Sequence, residues 1–185
     1  MKKLLYALGA LAAAAALWSC DDDDDYVDYW TEYASYREAN EEWLAEQEKL
    51  TNDDGTPYYE RLVPAWDQGS YILIHWFNDR SETAGNLRPF LTSTVTTKYI
   101  GYLYDGTEFD SSADNNDEGT FTTAVNGVID GWQIALQNMH AGDTVQILVP
   151  YASAYGAQES GKIKPYSALR FNMRLTEVDD LEVKP

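Results

Sequence analysis

Very little of the usual catalytic inventory is present. Among 185 residues there is one cysteine, Cys20, and two histidines, His75 and His140. A single thiol closes no internal disulfide. The two histidines lie far apart, with no partner at metal-ligand spacing, so no zinc motif forms and no metal is expected. There is no Gly-rich phosphate loop, no expected cofactor and no internal repeat. Basic residues are scarce: 13 Lys and Arg stand against 31 Asp and Glu, for a net charge of −18. A surface that acidic repels phosphate backbones, which excludes nucleic acid as a partner. Long apolar runs are also missing. The one at residues 4 to 18 falls short of the roughly 18 or more residues of a membrane-spanning helix.

That apolar run still has a reading. Lys2 and Lys3, then "LLYALGALAAAAALW", then "LWSC" have the form of a secretion signal over residues 1–19. Cys20 closes the run. Leu17 and Ser19 fit the pattern that precedes a lipidated cysteine, although Trp18 stands where a small residue is usual. The expectation is a bacterial lipoprotein, cut before Cys20 and anchored in the membrane by acyl chains on that residue. An ordinary cleaved signal with an incidental cysteine is the other reading. Asp21 to Asp25 then make a self-repelling tether. The tract resembles the acidic signal of surface-exposed lipoproteins of Bacteroidota. Together these readings imply an outer-membrane lipoprotein of the cell envelope, facing the periplasm or the outside.

Residues 28 to 50 have helical spacing. Trp30, Tyr33, Arg37, Asn40, Leu44 and Gln47 share a stripe, and Asp28 is a candidate N-cap. No heptad is sustained, which favours a docked helix over a dimerising coiled coil. Residues 20–56 thus read as tether plus helix, and residues 57–180 as a folded domain with its core over 90–178. Residues 51 to 57 form a linker or turn, residues 70 to 79 a candidate strand with His75 as a packing residue, and residues 80 to 89 a loop. In residues 94 to 106, Val95, Thr97, Tyr99, Gly101 and Leu103 share one strand face, closed by Asp105-Gly106. A short strand ends at the turn pair Asn126-Gly127. Residues 130 to 142 predict a short helix. Asp130 and Gln133 are placed as a capping box, Trp132, Ala135, Leu136 and Met139 form the apolar stripe, and Gly142 is a terminator. His140 then falls in the last turn, where it favours the helix dipole. Val145, Ile147 and Val149 alternate inward, as do Leu169, Phe171, Met173 and Leu175, with Arg170, Asn172 and Arg174 outward. One wet face favours an antiparallel sheet, and strands around one short helix make an α+β domain.

Six aromatics remain to be placed: Tyr99, Phe109, Phe121, Trp132, Tyr155 and Phe171. Each alone reads as core. Phe109 and Tyr155, however, sit beside turn residues, where a pocket rim is as good a place. The segments "KYIGYLYDGTEFDSS", "VIDGWQIALQNMHAGDTVQILVPYASAYG" and "IKPYSALRFNMRL" resemble the FKBP-type peptidyl-prolyl cis-trans isomerases. Tyr-x-Gly, Gly-x-x-Phe-Asp-Ser, Val-Ile-x-Gly-Trp, Ala-Tyr-Gly and Leu-x-Phe all occur in order, over residues 90 to 178.

The resemblance implies an antiparallel five- to six-stranded sheet curled around one short helix, here with an N-terminal helical extension. It implies a pocket in which Tyr99, Asp110 and Tyr155 act on a prolyl bond. Phe109, Phe121, Val128, Ile129, Trp132, Ile163 and Phe171 would bind the substrate. Asp110 has a second, purely structural reading, tying its turn to the strand. The implied substrates are proline-containing polypeptides in the folding of exported proteins, and the implied inhibitors are macrolides. Thr123 departs from the family in place of a larger residue, Lys164 in place of a common proline, and the loop "ADNNDEGT" in its length and acidity. These departures support an alternative: a catalytically weak binding module or chaperone.

Overall fold

The structure is a computed structural model and describes residues 28–179. The expected signal, Cys20 and the acidic tract lie outside the described residues. Two helical segments open the chain, α1 (Tyr29–Glu32) and α2 (Ala34–Gln47). Seven strands follow: β1 (Glu60–Leu62), β2 (Ile72–Trp76), β3 (Thr94–Leu103), β4 (Glu108–Ser111), β5 (Phe121–Ala124), β6 (Thr144–Val149) and β7 (Leu169–Val178). The helix α3 (Asp130–Leu136) lies between β5 and β6. All pairings are antiparallel, in the order β1-β2-β6-β7-β3-β4. The count exceeds the expected five to six for two reasons. β4 and β5 both pair with β3, at Ile100–Tyr102 and at Thr94–Thr97, and the short β1 adds an edge.

Alternation builds the core. The inward residues of β3, β6 and β7 named from the sequence are buried, and they pack on a helix buried on most sides: Gly131, Trp132, Ile134, Ala135 and Leu136. Close packing explains one glycine there. A Cβ on Gly131 would stand 2.3 Å from Val149 Cγ1, so no larger residue lets α3 approach β6 as it does.

Three local expectations change. The N-cap of α3 is Ile129, with no side-chain cap, so Asp130 is the first helical residue and no capping box forms; Gln133 Nε2 donates to the Val128 carbonyl at 2.8 Å and weakly to Asp130 Oδ1 at 3.5 Å. Asn126-Gly127 lies in a 3-10 turn (Val125–Gly127) leading into α3, because the next element is a helix and not a returning strand. The helix ends at Leu136, so His140 lies beyond its last turn. His140 instead donates its backbone N–H to Asp143 Oδ2 at 2.8 Å. Asp143 is fully buried and also accepts from Thr83 and Asn78. Burial works to raise its pKa, but the His140, Thr83 and Asn78 hydrogen bonds together hold it below the ordinary aspartate value.

The outer face of the sheet is not wet throughout. Leu44 of α2 packs with Tyr59, Leu73, Leu148 and Ala168 in a second apolar cluster. The helix thus docks across the face opposite α3, as the absence of heptads suggested. His75 packs as read, its ring stacked on Tyr58 at 3.8 Å.

Candidate active site

Where the sheet curls around the start of α3, a cavity of about 300 Å³ opens. Trp132 forms its floor. The indole is only 3% exposed, and it is held by edges of Tyr99 (4.9 Å between centroids), Phe171 (5.3 Å) and Phe121 (6.2 Å), all nearly perpendicular. Such edge-to-face contacts fix ring orientations beyond what area burial alone does. Phe109 from β4 stands against Phe171 at 5.6 Å, and Val128 and Ile129 complete the lining before α3. Gly101 makes the Phe109–Phe171 wall possible, since a Cβ there would meet Phe109 Cζ at 2.6 Å. The alternation of β3 therefore places Tyr99 and Gly101 side by side on the cavity face.

Polar groups are few and placed at the margin. The Tyr99 hydroxyl donates to Asp110 Oδ2 at 2.5 Å, and the Ser111 N–H donates to Asp110 Oδ1 at 2.9 Å. Two donors thus fix an otherwise exposed carboxylate. Burial, then the Asp110 hydrogen bond and charge, push the Tyr99 phenol above its ordinary pKa. Burial, with a smaller push from Asp110, does the same to Tyr155. Among the described residues, neither the Tyr155 hydroxyl nor the Ile129 N–H finds a protein partner, and both residues line the cavity.

Nine of the ten pocket residues expected from the sequence meet here. Ile163 does not: it is 4% exposed and belongs to the core cluster, not the lining. Gly127 lines the cavity and was missed. Its only sequence signal was Asn-Gly, which reads as a turn and not as a wall. Thr123 is absent from the lining and Lys164 faces outward, so neither departure touches the cavity surface.

A sheet wrapped on a short helix, with a mainly aromatic hollow at its mouth, makes a site of the size and chemistry to receive one compact apolar group. The comparisons specify the class. Residues 86–176 match the sequence model of the FKBP-type peptidyl-prolyl cis-trans isomerases. A macrophage infectivity potentiator of Trypanosoma cruzi is 40% identical over 98 residues, covering 52% of this chain and 49% of that protein. The FKBP-type 22 kDa peptidyl-prolyl cis-trans isomerase of Escherichia coli (strain K12) is 41% identical over 91 residues, covering 49% and 43%. The chain therefore spans about half the length of these relatives or less. A solved peptidyl-prolyl cis-trans isomerase from Pseudomonas syringae superimposes with a TM-score of 0.63 at 28% identity, over 80% of this chain and 96% of that one. Residues 86–176 are thus similar in sequence, and the fold in architecture, to the FKBP-type peptidyl-prolyl cis-trans isomerases.

Proposed function

We propose that the chain is a peptidyl-prolyl cis-trans isomerase acting on proline-containing polypeptides of the cell envelope. The observation that carries this is the cavity: an aromatic hollow of residue size with two unpaired hydrogen-bonding groups in its lining. Its volume is at the low end of small-ligand sites, which suits a proline ring.

Rotating a prolyl bond breaks no covalent bond and moves no proton. The barrier is amide resonance, roughly 18–20 kcal/mol, and uncatalysed turnover takes tens to hundreds of seconds. A catalyst must hold the twisted amide more tightly than the planar one. An acceleration of about five powers of ten corresponds to roughly 7 kcal/mol of such preference. The planar amide is the more dipolar, so removing water destabilises it more than the twisted form. Trp132 would floor the proline ring, with Phe109, Phe121, Val128 and Phe171 as walls. The Ile129 N–H and the Tyr155 hydroxyl would each hold a substrate carbonyl. Asp110, fixed by Tyr99 and Ser111, would set the field at the turning carbonyl. Ile163, buried in the core and outside the lining, would not touch the substrate. Macrolides that fill the hollow would compete with peptide.

The envelope assignment rests on the leader, on Cys20 as lipidation site, and on resemblance. An outer membrane protein MIP of Legionella longbeachae is 42% identical over 92 residues. A protease-coupled assay on an Ala-Leu-Pro-Phe peptide tests the activity. Catalysis well above buffer is expected, and rates equal to buffer would leave only a binding module.

A further inference from the structure

We propose that the N-terminal helices set the rim of the proline cavity, with Asn40, Tyr36 and Trp30 as positioning residues that act through segment 156–168 on Tyr155. The inference rests on the isomerase reading for its effect on rate, and on packing alone for its effect on the rim.

Asn40 is a polar residue in the middle of a helix, yet it is wholly buried. Its Oδ1 accepts the Ala168 N–H at 2.8 Å, and its Nδ2 donates to the Tyr36 carbonyl at 2.7 Å. A buried amide satisfied this way fixes a helix in one register, because any slip leaves it unpaired. One turn back, the Tyr36 hydroxyl lies 2.9 Å from Ser167 Oγ, which donates to the Lys164 carbonyl at 2.7 Å. Lys164, where a proline is common in the family, holds its ammonium 5.3 Å over the Tyr36 ring.

Between these contacts sits Tyr166, the only non-glycine residue with positive φ among the described residues, at 63°. A bulky side chain in the left-handed region is strained and persists only where its surroundings hold it. The helices supply much of that hold. Trp30 meets the Tyr166 ring edge-on at 5.6 Å, and the Arg37 guanidinium lies 3.3 Å over Trp30 and 5.3 Å from Tyr166. Tyr151 closes the other side at 5.4 Å. From this strained residue the Tyr166 N–H donates to the Gly156 carbonyl at 2.8 Å. Gly156 directly follows Tyr155, whose ring lines the cavity. A continuous line of contacts thus runs from helix to rim. α2 is spent on its own domain and does not stand free.

The test uses the full chain carrying Asn40→Ala, Tyr36→Phe or Trp30→Ala, each alone and each combined with Tyr155→Phe. The two aromatic changes lie at partly exposed positions and keep the test open should Asn40→Ala fail to fold. Each single change is expected to lower kcat/KM by about fivefold, as small displacements of a positioned group do. Combination with Tyr155→Phe is expected to add almost nothing further, because both changes remove one contribution. Additive losses, or kcat/KM unchanged in all three variants, would overturn the proposal. Hydrogen exchange separates this from the isomerase reading. The Gly156 and Tyr166 amides should exchange faster in the variants whether or not the wild type turns over peptide. Unchanged exchange there would overturn the role of the helices.

Discussion

Trp132 combines two duties at the scale of single residues: its indole is nearly as buried as the core around it, yet one face is the cavity floor. Three rings packed nearly perpendicular to the indole hold it in place, so the floor is preorganised. The Asp110 carboxylate and the Tyr99 phenol beside it are fixed by hydrogen bonds, but turning the amide passes no proton. Raised pKa values keep the phenols of Tyr99 and Tyr155 protonated well above neutrality, and neither histidine lines the cavity. The expected pH profile of kcat/KM is therefore flat from about pH 6 to about pH 9. A bell with a midpoint inside that window would point to acid–base chemistry instead. Asp110→Asn keeps the shape and removes the charge. It is expected to lower kcat/KM about tenfold, or ~1.4 kcal/mol, if the field at the turning carbonyl matters. An unchanged rate would return Asp110 to its structural reading.

Among the elements, α3 is decided by packing over propensity. Alanine exceeds glycine in a helix interior by up to about 1 kcal/mol, so Gly131→Ala on an exposed helix would stabilise. Here the added methyl meets Val149 Cγ1 at 2.3 Å, and overpacking costs about 1–3 kcal/mol. The net expectation is destabilisation, read as a lower midpoint in urea; a raised midpoint would show that α3 can shift freely. The same contest explains what was legible beforehand. In β3, and in β7 from Leu169 to Leu175, a two-residue alternation faces one core, so their faces could be read directly. The motif residues of the cavity were legible for a related reason, since a pocket built of side chains leaves them in the sequence. Gly127 was not, because a wall made of backbone leaves only a turn signal. The docking stripe of α2 was legible, since Asn40 and Leu44 are its buried residues, but the partner of Asn40 was not, because Ala168 lies 128 residues on. The capping box on α3 failed because the helix starts one residue earlier, with Ile129 and not Asp130 at the N-cap.

For the molecule as a whole, charge and anchoring carry the remaining expectations. The folded pKa of Asp143 is depressed, so ionised Asp143 stabilises the fold above the ordinary aspartate value of about 3.9. That contribution fades as pH falls through this value toward the lower folded one. Relaxed repulsion among the acidic groups acts in the opposite direction, but equally in a variant. Asp143→Asn is therefore expected to lower the melting temperature at neutral pH and to flatten its fall below about pH 4. Parallel acid limbs would refute this role. At the other end of the chain, Cys20→Ser should move the protein from the membrane fraction to the soluble one, and unchanged fractionation would remove the lipid anchor. The central claim is that the hollow prefers a half-turned amide over a flat one, and binding alone does not prove it. NMR exchange spectroscopy on a short Leu-Pro peptide, with protein at catalytic concentration and no protease present, measures the turning directly. The account predicts cis–trans exchange far faster than in buffer, with most of the gain lost in Trp132→Ala. A peptide that binds in the hollow but exchanges no faster than in buffer would contradict it.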